Sequence, residues 1–102
     1  MFKNVTVSRE ANLYFEGKVS SRTLLLEDGK KVTLGIMLPG TYKFGTSAKE
    51  RMEITVGKLS VLLPGESSEK EMTGGCEFEV PANSEFSVTV TEVVDYCCHY
   101  ID

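Results

Sequence analysis

The stretch from Glu50 to Gly65 reads ERMEITVGKLSVLLPG and carries the pattern that decides the fold. Apolar and polar residues alternate in MEITV and again in LSVLL, which is the period of a strand with one buried face. Gly57-Lys58 lies between the two segments and predicts a turn. We therefore expect a β-hairpin here, with Met52, Ile54 and Val56 together on the buried face of its first strand.

The same alternation occurs before this stretch, in KVTLGIML from Lys31 to Leu38. The more apolar face of that segment holds Val32, Leu34, Ile36 and Leu38. The preceding Asp28-Gly29 is the dipeptide that most readily supplies the positive φ angles of a two-residue hairpin turn. The region is predicted to form two antiparallel strands joined at this dipeptide.

Three further alternating segments follow toward the C-terminus. They are CEFEV at 76–80, FSVTV at 86–90 and YCCHYI at 96–101, with Pro81-Ala82-Asn83 between the first two. No segment shows a sustained helical period, and no linker divides residues 1–102. The pattern predicts one all-β domain built of short strands, a barrel or double-sheet roll. An immunoglobulin-like sandwich is the alternative, but the chain has no Trp and lacks the Cys-Trp-Cys spacing of that fold.

Composition excludes several classes of protein. The 102 residues are 41% apolar and 25% charged, with a net charge of −4, so no basic face for nucleic acid is expected. No apolar run approaches the roughly 18 to 20 residues of a membrane span. The N-terminal residues lack the apolar core of a secretory signal. We expect a cytoplasmic protein that binds neither membrane nor nucleic acid.

The metal-ligating residue types are few. The three cysteines are Cys76, Cys97 and Cys98, and the adjacent pair should point to opposite faces of a strand. Buried, reduced thiols are the expected state. His99 is the only histidine, and it could form a site with Cys97 or Cys98. Because transition-metal sites need several imidazole or thiolate donors, we expect no bound metal.

Two longer segments resemble the two motifs of the cupin superfamily. In the first, GTYKFGTSAKERMEITVG from Gly40 to Gly57, six residues separate Glu50 from the final glycine. In the second, GCEFEVPANSEFSVTV from Gly75 to Val90, five residues separate the first glycine from a proline. The resemblance implies a single-domain cupin-like β-barrel, also called a double-stranded β-helix or jelly roll.

In cupins these motifs supply three His and a Glu that hold one metal inside the barrel. Here the His positions fall on Phe44, Thr46 and Phe86, and only Glu50 matches. The resemblance therefore implies a cupin-like cavity that has lost the metal ligands.

A resemblance over most of the chain is more specific. NLYFEGKVSS, LGIMLPGTYKF, ERMEITVGKLSVLLPG, FEVPANSEFSV and YCCHYI occur in this order between residues 12 and 101. They resemble the small, metal-free pyrimidine/purine nucleoside phosphorylases. The resemblance implies phosphorolysis of several nucleosides to the free base and pentose 1-phosphate. It also implies inorganic phosphate as co-substrate, no cofactor, and a homodimer.

Such a reaction needs a carboxylate or hydroxyl near the ribose, an apolar shelf for the base and a cationic clamp for phosphate. Glu50 is the candidate catalytic residue. The candidate substrate-binding residues are Tyr42, Phe44, Thr46, Arg51 and Phe86. Strict alternation turns Arg51 away from Glu50, so a bulge or a subunit interface would have to bring it to the site. Ordinary core packing for the aromatic residues and hydrogen bonding within the barrel for Glu50 are the alternatives.

A non-catalytic module that binds a sugar or nucleoside is the alternative function, because one fold hosts many functions. The distinguishing feature is phosphate. An enzyme of this kind needs a cationic or N–H-lined pocket beside Glu50, and a binding module does not.

Overall fold

The computed structural model describes residues 1–101, which form an all-β structure. The strands are β1 (Thr6–Val7), β2 (Asn12–Tyr14), β3 (Val19–Leu25), β4 (Lys31–Met37), β5 (Gly40–Gly45), β6 (Lys49–Leu62), β7 (Lys70–Thr73), β8 (Cys76–Val80) and β9 (Glu85–Ile101). One 3-10 turn, Phe15–Gly17, lies between β2 and β3. None of the helical structure in this part of the chain is long and apolar enough to cross a membrane.

Two long antiparallel strands, β6 and β9, form the centre of the sheet. Along the edge that does not pair with β6, strand β9 pairs with β5 through residues 85–90 and with β4 through residues 94–99. The other edge of β6 pairs with β8 through residues 50–54 and with β7 through residues 58–61. Strand β3 pairs with β4, and β1 and β2 both pair with β3. The predicted all-β, cupin-like fold is confirmed.

The predicted hairpin at Gly57-Lys58 is wrong, because β6 continues through it as one strand of 14 residues. The pairing of β6 with β9 instead shifts register between Ile54 and Leu59, which marks β-bulge irregularities. Gly57 has φ +105°, and a Cβ at this position would lie 2.2 Å from the Val93 carbonyl oxygen. Only glycine fits this close approach of two backbones.

The bulges reverse the alternation of β6. Met52 and Ile54 are buried before them, and Leu59 and Val61 are buried after them. Val56 lies within the irregular segment and is 60% exposed, so its predicted place on the buried face is wrong. A period of two holds only while pairing is regular, and each extra residue moves the following side chains to the other face.

The predicted hairpin of β3 and β4 is confirmed, with Leu25 paired to Lys31. Its loop is longer than the predicted two-residue turn. The Leu26 N–H donates to the Lys30 carbonyl at 2.9 Å, which leaves residues 27–29 as the loop, with Gly29 at φ +85°. Three-residue hairpin loops with a left-handed glycine at their end are a common alternative to the two-residue turn.

The segments 86–90 and 96–101 were expected to be separate strands. They belong to a single strand, β9, of 17 residues. Pro81-Ala82-Asn83 does separate β8 from β9, but these two strands do not pair with each other. Strand β8 pairs with β6, and the first part of β9 pairs with β5 and β6.

Most of the more apolar face of β4 points outward, contrary to the usual rule for a half-buried strand. Leu34, Ile36 and Leu38, the last just beyond the strand, are 39%, 38% and 42% exposed, whereas Val32 on the same face is 1% exposed. The opposite face carries Thr33, Gly35 and Met37. A Cβ on Gly35 would lie 2.0 Å from the Ser20 carbonyl oxygen and 2.7 Å from the Tyr96 hydroxyl oxygen, so only glycine fits between the β3 backbone and the tyrosine. The face of β4 that carries Gly35 is therefore the one that packs against Tyr96 in the interior.

One core cluster fills the space enclosed by the strands. It draws mainly on β6, β8 and β9, with Val19, Met37 and Tyr42 added from β3, β4 and β5. Its most deeply buried members include Ile54, Leu59, Val61, Val80, Val88 and Val94. Met37, Met52 and Phe86 belong to this cluster and also line a cavity in the interior.

Candidate active site

A cavity of about 150 Å³ lies inside the barrel. Its apolar lining residues are Met37, Phe44, Met52 and Phe86. Its polar lining residues are Ser21, Thr33, Glu50, Tyr96, Cys98 and Tyr100. Tyr14, which is 47% exposed, and Gly45 also line it and place its mouth at the surface.

Glu50 is the only carboxylate among the described residues that line this cavity, and no Lys, Arg or His of residues 1–101 lines it. It lies in β6 between Tyr100 of β9 and Val80 of β8. Burial raises the pKa of Glu50, and a hydrogen bond with Cys98 and the charge of Lys31 partly oppose this rise. Glu50 is therefore a carboxyl group whose proton is held more tightly than usual.

Cys98, Tyr96 and Tyr100 line the cavity together with this carboxyl group. Burial, with the nearby charge of Glu50, raises the pKa of Cys98 to about 12, so its thiol is neutral at physiological pH. Burial also raises the pKa of Tyr96 and of Tyr100. The Tyr96 hydroxyl donates to the Ser20 carbonyl at 3.1 Å. The raised pKa disfavours the Cys98 thiolate, which is the nucleophilic form.

One wall of the cavity is aromatic. The rings of Phe44 and Phe86 have centroids 5.5 Å apart, and Phe15 meets Phe44 edge-on at 5.5 Å. Phe78 supports Phe86 from behind at 6.2 Å. Such a wall presents an aromatic face that accepts any planar ring without reading its polar edge.

Only some of the six predicted site residues line the cavity. Glu50, Phe44 and Phe86 line the cavity together. Tyr42 and Thr46 do not line it. The buried Tyr42 donates its hydroxyl to the Leu38 carbonyl at 2.6 Å. Thr46 Oγ1 donates to the Pro81 carbonyl at 2.7 Å and accepts from the Ser84 N–H at 3.0 Å.

Arg51 lies on the face of β6 opposite to Glu50, as alternation predicted. Its Nη1 lies 3.1 Å from Glu77 Oε2 and 3.3 Å from Glu53 Oε1. It lines a second pocket, which shares Tyr100 with the cavity and has Lys31 and His99 among its other residues. The cation proposed from sequence as a phosphate ligand is thus separated from the cavity by the sheet.

Sequence reasoning missed the polar half of the cavity. Ser21 and Thr33 come from β3 and β4, and Tyr14 precedes the 3-10 turn, far along the chain from Glu50. Cys98 and Tyr100 could have been found, because alternation in YCCHYI puts them on one face with Tyr96. The prediction that Cys97 and Cys98 face opposite ways is confirmed, since Cys97 contacts His99 rather than the cavity.

A second group of potential metal ligands lies on the outer face of the sheet. The ligand atoms of its three residues, Glu53, Cys97 and His99, all lie within 4.8 Å of one another. His99 Nε2 contacts Glu53 and lies 3.5 Å from Cys97 Sγ. Burial, with the charge of Glu53, raises the pKa of Cys97 to about 11, which disfavours the thiolate that a metal requires. Arg51 also bonds to Glu53, so a network of ion pairs and hydrogen bonds accounts for this group.

Sequence comparison shows which known proteins this chain is similar to. The sequence matches the family described as pyrimidine/purine nucleoside phosphorylase over residues 9–100. A protein of that name from Hydrogenovibrio crunogenus is 56% identical over 101 residues, 99% of this chain and 97% of the relative. Another from Wolinella succinogenes is 57% identical over 100 residues, 98% of this chain and 95% of the relative.

Solved structures give the same fold. A protein of unknown function from Acinetobacter sp. ADP1 superposes with a TM-score of 0.96 at 40% identity, covering 99% of this chain and 98% of that one. An RmlC-like cupin from Shewanella frigidimarina has a TM-score of 0.71 at 15% identity, covering 89% and 81%, and shows the fold alone. The sequence matches and the full-length fold agree, and the chain belongs to the pyrimidine/purine nucleoside phosphorylase family.

Proposed function

We propose that this protein catalyses phosphorolysis of purine and pyrimidine nucleosides to the free base and pentose 1-phosphate. The observation that carries the proposal is the combination of one carboxyl group, Glu50, with an aromatic wall and several hydroxyl groups in a single cavity. The names of its relatives supply the reaction class. The hydroxyls of Ser21, Thr33 and Tyr100 can form hydrogen bonds with a pentose, and the rings of Phe44 and Phe86 can stack on a base.

In this reaction the bond from the anomeric carbon to the base nitrogen breaks, and its electron pair leaves with the base. An oxygen of phosphate forms the new bond to the same carbon, and the base takes up a proton. Glu50 would act beside the sugar, either by accepting hydrogen bonds from its hydroxyls or by supplying that proton. A carboxyl group with a raised pKa suits the second role, because more of it is protonated near neutral pH.

Broad base specificity follows from the same arrangement. Stacking on Phe44 and Phe86 recognises the flat face that purines and pyrimidines share. Discrimination between bases requires buried polar groups matched to their edges. The hydroxyl groups of the cavity would bind the sugar, so we expect several nucleosides to be accepted.

We propose that catalysis needs no cofactor or metal and uses phosphate as its co-substrate. The donor set of the cavity supports this, because Glu50 and Cys98 are its only strong metal-ligating groups among the described residues and no imidazole reaches it. Elemental analysis after dialysis against a chelator, together with activity of the dialysed protein, tests this proposal. Stoichiometric metal in the active fraction, or loss of activity that metal restores, would refute it.

The decisive experiment measures release of free base from adenosine, inosine, uridine and thymidine, with and without inorganic phosphate. Release that depends on phosphate, with pentose 1-phosphate formed in equal amount, is the expected result. Nucleoside binding without release would instead support the alternative of a non-catalytic binding module.

Two matched variants test the place of Glu50. We expect Glu50→Gln to lose about 100-fold or more in kcat, since general acid-base groups contribute about that much. Glu79 lies on the exposed face of the neighbouring β8, so Glu79→Gln should keep the kcat of the wild type. Full activity of Glu50→Gln would place the chemistry elsewhere.

A further inference from the structure

A second pocket, with a volume of about 300 Å³, lies beside the cavity. It is lined by Lys30, Lys31, Arg51, His99, Tyr100 and Ile101. The charged side chains of this pocket are basic, whereas the charged side chain of the cavity is the carboxyl group of Glu50. Tyr100 lines both the pocket and the cavity. The two compartments therefore have opposite electrostatic character and share one wall.

The basic residues of this pocket are not equally available to a ligand. Arg51 is held by Glu53 and Glu77, and His99 is held by Glu53. Lys30 and Lys31 form no ion pair with any residue of 1–101 that the structure describes. The positive charge that an incoming anion can use is therefore mainly that of the two lysines.

Lys31 is the lysine that connects the two compartments. Its ammonium nitrogen lies 4.1 Å from the centre of the Tyr100 ring, the residue that both compartments share. Its charge also acts on Glu50, which lies inside the cavity. An anion bound to Lys31 would therefore lie at the boundary between the cationic pocket and the cavity.

We propose that this pocket is the phosphate site of the enzyme, with the Lys31 ammonium as the main ligand of the phosphate oxygens. The proposal rests on the proposed phosphorylase function. Among residues 1–101, the only charged group that the cavity can offer is the Glu50 carboxylate, which in its ionised form would repel a phosphate dianion. Lysine binds phosphate as a point charge, and the Lys31 charge, which acts on Glu50, would offset this repulsion.

The test compares Lys31→Met, which keeps the length of the side chain without its charge, with Lys31→Arg. Lys43→Met serves as the control, because Lys43 is an exposed residue paired with Glu85 away from both compartments. We expect the KM for phosphate to rise about tenfold or more in Lys31→Met, as for loss of a charged hydrogen bond. It should stay within about threefold of wild type in Lys31→Arg and Lys43→Met. The KM for nucleoside should change much less.

Direct titration with inorganic phosphate, by calorimetry without nucleoside, separates this proposal from the proposed function. Loss of phosphate binding in Lys31→Met, with retention in Lys43→Met, supports the site whether or not the protein turns over nucleosides. Equal phosphate binding by wild type and Lys31→Met would overturn the site, even if phosphorolysis is observed. The exposed position of Lys31 makes failure to fold an unexpected outcome, and thermal melting of each variant checks it.

Discussion

Glu50 and Arg51 are consecutive in β6, yet they serve opposite faces of the sheet. Glu50 lines the internal cavity, and Arg51 bonds to Glu77 and Glu53 outside it. No bulge lies at this point of β6, so the two side chains keep the alternation of a regular strand. A cation for the proposed reaction with phosphate therefore has to come from another strand, and the charge of Lys31, at the start of β4, acts on Glu50.

Removing the charge of Glu50 should alter stability in a pH-dependent way. Burial raises its pKa, so the folded state holds this proton more tightly than the unfolded state does. Stability from this group is full below the ordinary carboxyl pKa and is lost as pH rises through the folded-state value. We expect Glu50→Gln to gain stability relative to wild type as the pH rises above the ordinary carboxyl pKa, measured by urea denaturation at a series of pH values. A constant difference across that range would contradict this assignment.

Gly57 should be less tolerant of substitution than Gly29. Both have positive φ, so each alanine variant pays a conformational cost of about 1 to 2 kcal/mol. Gly29 has open space around it, whereas a Cβ on Gly57 would meet backbone atoms of Val93. We expect Gly57→Ala to lose about 3 kcal/mol or more in unfolding free energy, because overpacking adds to the strain. Equal losses in the two variants would mean that β6 can move away from β9 at this point.

The reversal of faces along β6 predicts unequal effects at two neighbouring apolar positions. Ile54→Ala should cost about 2 to 5 kcal/mol, because Ile54 is 1% exposed within the core. Val56→Ala should change stability by only about 0.5 kcal/mol, since this side chain is on the surface. Chemical denaturation of both variants compares them directly. A large loss at Val56 would indicate that another chain covers it in solution.

The three thiols should react at very different rates. Cys76 is partly exposed, whereas Cys97 and Cys98 are buried and burial raises their pKa values to about 11 and about 12. We expect iodoacetamide near pH 7.5 to modify Cys76 first, because the thiolate is the reactive form. Mass spectrometry of digested protein locates the label. Cys76→Ser should remove the fast phase, and urea should expose all three thiols; rapid labelling of folded Cys98 would refute the buried arrangement.

The outward apolar face of β4 supports the expected homodimer. Leu34, Ile36 and Leu38 form a row of exposed aliphatic side chains on one face. We expect sedimentation at micromolar concentration to show a dimer. Ile36→Glu should shift it toward monomer. A monomeric wild type would remove the prediction, and a dimeric Ile36→Glu would place the interface on another surface.

The sequence by itself determined the class of fold, because a period of two is a local property of strands. It also identified Glu50, Phe44 and Phe86 as neighbours, since strand parity and motif spacing are preserved in regular pairing. It could not locate the bulges at Gly57, which arise from the close approach of Val93, a residue far along the chain. For the same reason it placed Val56 on the wrong face.

Only the tertiary structure decided which face of β4 is internal and which residues complete the cavity. Hydrophobicity favours burial of Leu34 and Ile36, but it is Gly35 that packs inward, against the Ser20 backbone and Tyr96, and Leu34 and Ile36 lie outward. Ser21, Thr33 and Tyr100 line the cavity with Glu50, although their strands are distant from it in sequence. The Lys31 ammonium group lies over the ring of Tyr100. These contacts depend on how β3, β4, β6 and β9 close around one interior, and no local pattern encodes that closure.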